Sequence, residues 1–575
     1  MLNRFVTRLT LVGLLVGVAA SCQKDQQASN DVAGKAQNCD PDNGGITLPP
    51  GFCATIFADD IGHARQMVVA PNGVVYANTW SGEYYNNDTP HAGGFLVAMV
   101  DSKGTGHADL IERFGGGVAE GSHGGTGIGI YHSHLYAEVN DRIVRYPMGT
   151  TGVDTSATPE VIVSGMPLDG DHPMHPFIID PRGNLFIDMG SATNACEVKN
   201  RMPLSPGNQP CTEKETRAGT WKYDANKLDQ QFSPAERYAT GIRNGEGFAI
   251  DASGRLFVTQ HGRDQLSENW SGLYPSSAGP ELPAEEVVEL KQGADYGWPE
   301  CYFDPAQHKL VLGPEYGGDG GRTVGLCADR SPPAAAFPAH WAPNALLFPS
   351  GRGTPTVYGQ GMLIAFHGSW NRAPAPQGGY NVTFQPMTDG KAAGERVTFA
   401  DGFAGAVKDP GKAAFRPAGL AQGPNGAVYI SDDVHGRIWR VTYSGSPDAP
   451  VAAAPAPVVS TVSAAASVAL TLAPGATAAE LALGDSVFHG QVARATCAAC
   501  HGPVGNGTAN GATLIGGKWL WSDGSLEGIS KTISTGVPRP RSHGGAMPPM
   551  GGTPLTPSEL RAVSVYVWGL GNQGK

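Results

Sequence analysis

The sequence contains no run of lysine or arginine in its 575 residues, and its formal net charge is −12. Nucleic-acid surfaces are clustered and basic, so the composition argues against that partner. After Ala20 there is no apolar stretch long enough to cross a bilayer as a helix. Between Asp448 and Glu480 there is no charged residue at all, and Ala, Pro, Val and Ser dominate, which is the composition of a semi-stiff linker. No second cysteine pair follows His501, and His543 is the only later histidine, so a zinc site built there lacks ligands. What the chain has in plenty is Gly (80) and Pro (45). Together they make about a fifth of it, below the disordered range and suited to a turn-rich, mostly β protein.

Against these gaps stands Cys497-Ala498-Ala499-Cys500-His501, the C-x-x-C-H signature of c-type haem attachment. The two thiols bond the porphyrin and the adjoining histidine reaches the iron. A redox dithiol would need no histidine after it. Downstream, Met547-Pro548-Pro549-Met550-Gly551-Gly552 resembles the loop that supplies the thioether ligand of His/Met cytochromes, and its first Met, Met547, is the expected sixth ligand rather than Met550. A helix over about 481–495, buried through Leu483, Val487 and Phe488, leads into the motif. Thr556-Pro557-Ser558-Glu559 reads as N-cap, N1 proline and capping Glu of a last helix, with Leu560, Val563, Val567 and Leu570 on its packed face. Trp519 and Trp521 are expected to wall the haem pocket. A haem that moves single electrons needs a donor, which the preceding residues should supply.

The compartment reads from the start of the chain. Arg4 and Arg8 precede an apolar run, Leu9 to Ala20, of signal-peptide length. It ends in Ala19-Ala20-Ser21-Cys22, which resembles a bacterial lipoprotein cleavage site and makes Cys22 the expected lipid anchor; ordinary secretion is the alternative. Of nine cysteines, setting aside Cys22, Cys497 and Cys500 leaves six in three neighbouring pairs: Cys39/Cys53, Cys196/Cys211 and Cys301/Cys327. Local disulfides and an extracytoplasmic cytochrome both belong to an oxidising compartment, here the periplasmic side of a membrane.

A repeat runs through the middle. Pro71-Asn72-Gly73-Val74-Val75-Tyr76, Pro181-Arg182-Gly183-Asn184-Leu185-Phe186, Ala252-Ser253-Gly254-Arg255-Leu256-Phe257 and Pro424-Asn425-Gly426-Ala427-Val428-Tyr429 share one pattern, a polar turn ending in Gly and then an apolar strand with an aromatic. Weaker copies stand at Ser133 and Gly361. The six turns lie about 50 to 70 residues apart, with one longer gap between Gly254 and Gly361 that should hold an insertion stapled by Cys301/Cys327. Six such hairpins predict six four-stranded blades around an axis, a β-propeller. The expected organisation is a signal peptide (1–22), a tether (23–40), a six-bladed propeller (41–445), an Ala/Pro linker (446–478) and a small all-α cytochrome c domain (479–575).

Arg243-Asn244 within Ala-Thr-Gly-Ile-Arg-Asn-Gly-Glu-Gly, His261-Gly262-Arg263-Asp264-Gln265, Tyr296-Gly297-Trp298-Pro299 and His367-Gly368-Ser369-Trp370-Asn371-Arg372 resemble the sorbosone/glucose dehydrogenases that use pyrroloquinoline quinone (PQQ). The resemblance covers about 45–443 and extends to the fused cytochrome. It implies a quinone lying flat at the mouth of the propeller with calcium beneath it. The quinone carries three carboxylates and two carbonyls and calls for cations and planar donors. Those implied here are Arg65, His123, Asn244, His261, His367, Trp370, Asn371, Arg372 and Arg416. Arg243 matches the arginine set against the reacting carbonyl, and the carbonyls of Gly262 and Arg263 match the calcium ligands. His172 fits the place of the base that takes the sugar hydroxyl proton, with His175 its near rival. Ser191 stands where relatives orient that base with an aspartate; Asp188 and Asp171 are near, so the orienting group stays open. The implied activity is oxidation of a sugar or hydroxyaldehyde, with electrons passed to the chain's own haem and then to a respiratory acceptor. A carbohydrate-binding propeller without turnover, or a propeller lactonase, each with a passenger cytochrome, are the alternatives.

Overall fold

The computed structural model describes residues 39–573, apart from 81–92, 116–123, 374, 411, 458–469, 491, 493–496, 503–504, 506, 508–510, 539 and 541–546. Cys22 and His123 therefore lie outside the described residues. Among the described residues no helix is long and apolar enough to cross a membrane.

Six antiparallel sheets follow one another along the chain. The first blade is His63–Val69, Val75–Trp80, Leu96–Val100 and Leu110–Phe114. The second is Gly124–Tyr131, His134–Val139, Arg142–Pro147 and Glu160–Ser164, with Gln230–Gln231 added in parallel at its edge. The third is Phe177–Ile179, Asn184–Met189, Gly219–Asp224 and Arg237–Thr240, and the fourth Phe248–Ile250, Leu256–Gln260, Glu285–Glu289 and Ala335–Phe337. The fifth is Pro343–Leu347, Gly361–Phe366, Asn381–Thr388 and Val397–Ala400. In the sixth, Pro417–Gln422, Val428–Asp432 and Ile438–Tyr443 are completed by the N-terminal strand Phe52–Ala58, paired Phe52 to Tyr443 and Ala54 to Val441. The first strand of the chain thus closes the ring on the last blade, and the protein is mainly β, a six-bladed propeller followed by a few helices.

Every turn read from the repeat joins the first strand of a blade to its second. At Gly73, Gly183, Gly254 and Gly426 the φ values are 89°, 87°, 81° and 87°, the left-handed region glycine enters without a Cβ clash. Each of these N–H groups donates to the carbonyl three residues back, at 2.8 to 2.9 Å. The second strands are covered on both faces, so Gly361–Phe366 and Val428–Asp432 are buried throughout and read as apolar runs rather than as alternation. The long gap holds the expected insertion, a hairpin of Cys301–Asp304 and Lys309–Leu312 stapled by Cys301–Cys327. Cys39–Cys53 and Cys196–Cys211 are the other two disulfides.

The expected linker is not loose at its start. Thr356 donates to the Pro447 carbonyl and Ala454 to the Thr398 carbonyl, both at 2.8 Å, while Val451 packs on the core shared by the fifth and sixth blades.

Beyond it, the helices Ala478–Phe488, Cys497–His501, Leu526–Thr535 and Pro557–Gly571 enclose a second core. The first of these ends at Phe488, earlier than expected, because Gly490 turns the chain with φ 71°. Its Gly484 lies against the last helix, where a Cβ would strike the Ala562 carbonyl. The last helix begins as the sequence predicts, with Thr556 and Glu559 exchanging a capping box. Trp519 packs into this core, and Trp521 is 41% exposed.

Candidate active site

In each blade the first strand runs away from one end of the ring and the second returns to it. The segments before first strands and after second strands therefore gather at a single mouth, opposite the glycine turns. Arg65 stands near the start of the first blade's first strand; His172, Arg243–Glu246 and Arg416 precede the first strands of the third, fourth and sixth blades. Ser191, His261–Asp264, His367 and Asp433 follow second strands. Residues scattered over nearly 370 positions meet because the blades are copies of one hairpin.

Of the two candidate histidines, His172 has the ring placed as a base requires. Its Nδ1 lies 2.9 Å from the Ser191 carbonyl and 3.0 Å from Ser191 Oγ. A carbonyl can only accept, so Nδ1 carries the proton and Nε2 keeps its lone pair. Ser191 thus settles which group orients the ring. Burial, helped by the Arg243 charge, holds the imidazole down to about 3, so it is neutral at ordinary pH. His175 is excluded by its surroundings. It is fully buried, Nε2 meets the Pro167 carbonyl at 2.9 Å, and its N–H donates to Glu138.

Arg243 is held almost completely. Nε donates to the Asn194 carbonyl, Nη2 to Asn194 Oδ1 and Asp264 Oδ2, and Nη1 to the Gly262 carbonyl, each at 3.0 Å. Asp264 also pairs with Arg201, which reaches Asp171 beside His172 at 2.9 Å. The result is a charge-balanced chain, Asp171–Arg201–Asp264–Arg243, running along the mouth. Against the burial that would raise it, Arg243 and Arg201 keep Asp264 ionised.

The other expected residues divide. Arg65 pairs with Asp433 of the adjoining sixth blade (3.0 Å) and reaches Glu246, ahead of the fourth, at 3.4 Å. His367 Nε2 meets Asp433 Oδ1 at 2.7 Å, and burial with the Arg416 charge keeps its ring down to about 4. His261, held down to about 3 by burial with His172 and Arg243, donates from Nε2 to the Pro343 carbonyl at 3.2 Å. Its N–H bonds the Asn244 carbonyl. Arg416 donates to the carbonyls of His367 and Gly368. Asn371 bonds Asp264 at 2.6 Å, and Trp370 is 40% exposed at the rim. Arg372 is turned elsewhere. It straps its loop to Pro280, Glu281 and Ala339, so it belongs to the scaffold of the mouth and not to its lining.

Neutral imidazoles and guanidiniums around a buried mouth fit a flat polyanion such as PQQ: Arg65, Arg243 and Arg416 supply the charge, Asn244, His261 and His367 the planar donors. Calcium on Gly262 and Arg263 does not fit the arrangement. The Gly262 carbonyl already accepts from the Arg243 guanidinium, whose charge would repel a divalent ion there. Among the described residues no group of three His, Cys, Asp or Glu could hold a metal ion.

The second site is in the helical core. His501 Nδ1 lies 2.8 Å from the Ala512 carbonyl, so Nδ1 carries the proton and Nε2 the lone pair, the tautomer an iron ligand needs. Met547 and Met550 both line this core, but the Met550 sulfur accepts the Leu555 N–H at 3.4 Å. That leaves Met547 the better placed thioether. The residues fit a covalently attached haem. Burial raises the Cys500 thiol, with Arg201 pulling it down and Asp171 pushing it up.

Sequence reading missed Arg201, Asn194, Asp264, Asp433 and Arg217. The available signal was positional: each of Asn194, Asp264 and Asp433 lies within a few residues of the end of a second strand, where Ser191 and His367 were already under suspicion.

The fold and the two sites define a propeller of the quinoprotein sugar-dehydrogenase kind joined to a c-type cytochrome domain. The TrAA12-like family model matches residues 91–444, and the chain belongs to that family. The model for the cbb3-type cytochrome c oxidase subunit III matches residues 490–567. The pyrroloquinoline quinone-dependent pyranose dehydrogenase of Coprinopsis cinerea is 26% identical over 265 residues, 39% of this chain and 34% of that protein. The holo form of the Coprinopsis cinerea pyranose dehydrogenase PQQ domain superposes with a TM-score of 0.53 at 17% identity, over 69% of this chain and 97% of that one. The calcium structure of the Trichoderma reesei family AA12 protein gives 0.55 at 18%, over 69% and 97%. These structural likenesses establish the fold. The chain spans between 28% and 49% of the length of the curated relatives it matches.

Proposed function

We propose that the protein is a quinohaemoprotein that oxidises a sugar or related hydroxyaldehyde at the propeller mouth and passes the electrons to its own haem. The observation that carries this reading is His172, a buried neutral imidazole with its Nδ1–H committed to Ser191, facing the mouth beside Arg243. His172 Nε2 takes the proton of the substrate hydroxyl. Arg243 stabilises negative charge growing on an oxygen brought against it. Asp171 and Arg201 offer an acceptor and a donor to further hydroxyls, with no net charge, which suits a neutral sugar. PQQ, when bound, supplies a two-electron hydride acceptor, and haem c a one-electron one. Lipid attachment at Cys22 and a periplasmic location with a respiratory acceptor belong to the same reading, and the reading takes no step through calcium.

The test is dye reduction by the full-length haem-loaded protein titrated with PQQ, across aldoses, sorbosone, simple alcohols and a lactone. Turnover of a sugar that saturates with PQQ supports the reading. Quinone binding without turnover makes it a carbohydrate-binding propeller, and lactone hydrolysis without PQQ makes it a lactonase.

A further inference from the structure

The two groups assigned to chemistry, His172 and Arg243, do not touch through their side chains. Both are fastened to one short segment, Gly190 to Asn194. Ser191 accepts from His172 through its carbonyl and hydroxyl, and its own N–H donates to the Arg243 carbonyl at 2.6 Å. Three residues on, Asn194 takes two of the Arg243 guanidinium bonds. The Asp171 N–H donates to the Ala192 carbonyl at 2.9 Å. Gly190 has no room for a side chain, because a Cβ would lie 2.6 Å from that of His172.

The segment is clamped from beneath by Arg217, which is 3% exposed. Its Nη1 donates to the carbonyls of His172 and Gly190, both at 3.2 Å. Its Nη2 donates to the Asp169 carbonyl and to Asp169 Oδ1. Glu213 grips the same segment from the side, accepting the N–H groups of Ala192 and Thr193 and the Thr193 hydroxyl. The Cys196–Cys211 disulfide closes the loop that carries Glu213 toward it.

We propose that Arg217 is a positioning residue for the reaction: it locks the Gly190–Asn194 segment to the loop bearing His172, so that one rigid piece of backbone sets the base and Arg243 together. The inference rests on the functional reading above, yet its geometry is independent of any bound group. Three carbonyls and a carboxylate around one planar guanidinium is an arrangement lysine cannot reproduce, since an ammonium cannot present parallel N–H pairs. A shift of about 1 Å in such a site costs up to about 10²-fold in rate.

The experiment uses the full-length protein with Arg217→Met and Arg217→Lys, read in two ways. In the quinone-loaded enzyme, Arg217→Met is expected to lower kcat about 10- to 100-fold, with KM and the quinone Kd within about threefold. Arg217→Lys should recover only part of that loss. In the quinone-free protein, acylation of His172 by diethyl pyrocarbonate is mapped by mass spectrometry. The groups facing this ring are Ser191, Asp171, Arg201, Arg243 and His261. In the wild type they keep it neutral, so its acylation is flat between about pH 5 and 8, and burial keeps it slow. In Arg217→Met it should speed up at least about threefold and fall toward acid as the released ring titrates. A folded Arg217→Met with unchanged kcat and acylation overturns the proposal. So does a loss of quinone binding in step with kcat, which would mark Arg217 as general scaffold. If Arg217→Met fails to fold, Glu213→Gln, which keeps only part of the side grip, decides: a smaller loss of kcat at constant KM supports the lock, and no change sinks it. Should the wild type oxidise no sugar with quinone, the functional reading falls while the acylation series still judges Arg217.

Discussion

The propeller mouth and the haem core treat a histidine in the same way and for different ends. In both, Nδ1–H is given to a backbone carbonyl, Ser191 for His172 and Ala512 for His501, so Nε2 is the nitrogen with the lone pair. At the mouth the ring sits among guanidiniums and carboxylates, where a lone pair serves to take a proton. His501 closes the helix Cys497–His501 beside a core that holds Val492, Leu514, Trp519 and Met547, where a lone pair would serve to bind a metal. The tautomer is a local matter that one carbonyl can settle. The chemistry is decided by the surrounding dielectric and charge.

The most drastic way to break the comparison removes one side. Cys497→Ser with Cys500→Ser should abolish covalent haem, seen as loss of haem stain on a denaturing gel, while PQQ-dependent dye reduction at the propeller persists. Next, His172→Ala should cut that dye reduction by about 10²- to 10⁴-fold with quinone binding retained, measured by steady-state kinetics and a quinone titration. His175→Gln, by contrast, should leave kcat within a small factor, because its ring faces Pro167 and Glu138.

A smaller effect separates the two regions by pH. Burial pushes Glu286 up to about 8, opposed by its bond to Gln260 and helped by Glu285. The folded protein therefore holds this proton more tightly than the unfolded chain does. The stabilisation is complete below the ordinary carboxyl value and is lost as pH rises through about 8. The propeller's melting temperature should fall by a few degrees between about pH 6 and 9, and Glu286→Gln should flatten that slope. The smallest change is Thr556→Ala. Losing the cap should cost the cytochrome domain about 1 kcal/mol in denaturant titration and leave the propeller's transition where it was.

The same contrast governs what could be read from sequence. The haem site is written in five consecutive residues, because covalent attachment and one ligand come from a single helical turn. The hairpin repeat was equally legible, since Gly73, Gly183, Gly254 and Gly426 must each take a left-handed conformation at the same place. The closing strand Phe52–Ala58 was not, because its partner Ile438–Tyr443 lies at the far end of the ring and carries no local mark. At the mouth, His172 and Arg243 were found through family motifs. Asn194, Arg201, Asp264 and Arg217 were missed because they act through partners contributed by other segments and blades. Arg372 was misjudged for the converse reason: it shares a motif with Asn371, but its guanidinium turns to Pro280 and Glu281.

The account's central claim is that one chain both oxidises the substrate and carries the electrons away. Stopped-flow mixing of quinone-loaded, haem-containing protein with a turned-over sugar, followed at the ferrous haem band, tests it most directly. The account predicts a first-order haem reduction whose rate is independent of protein concentration and which His172→Ala suppresses. A rate that scales with protein concentration, or haem reduction that survives His172→Ala unchanged, would contradict it.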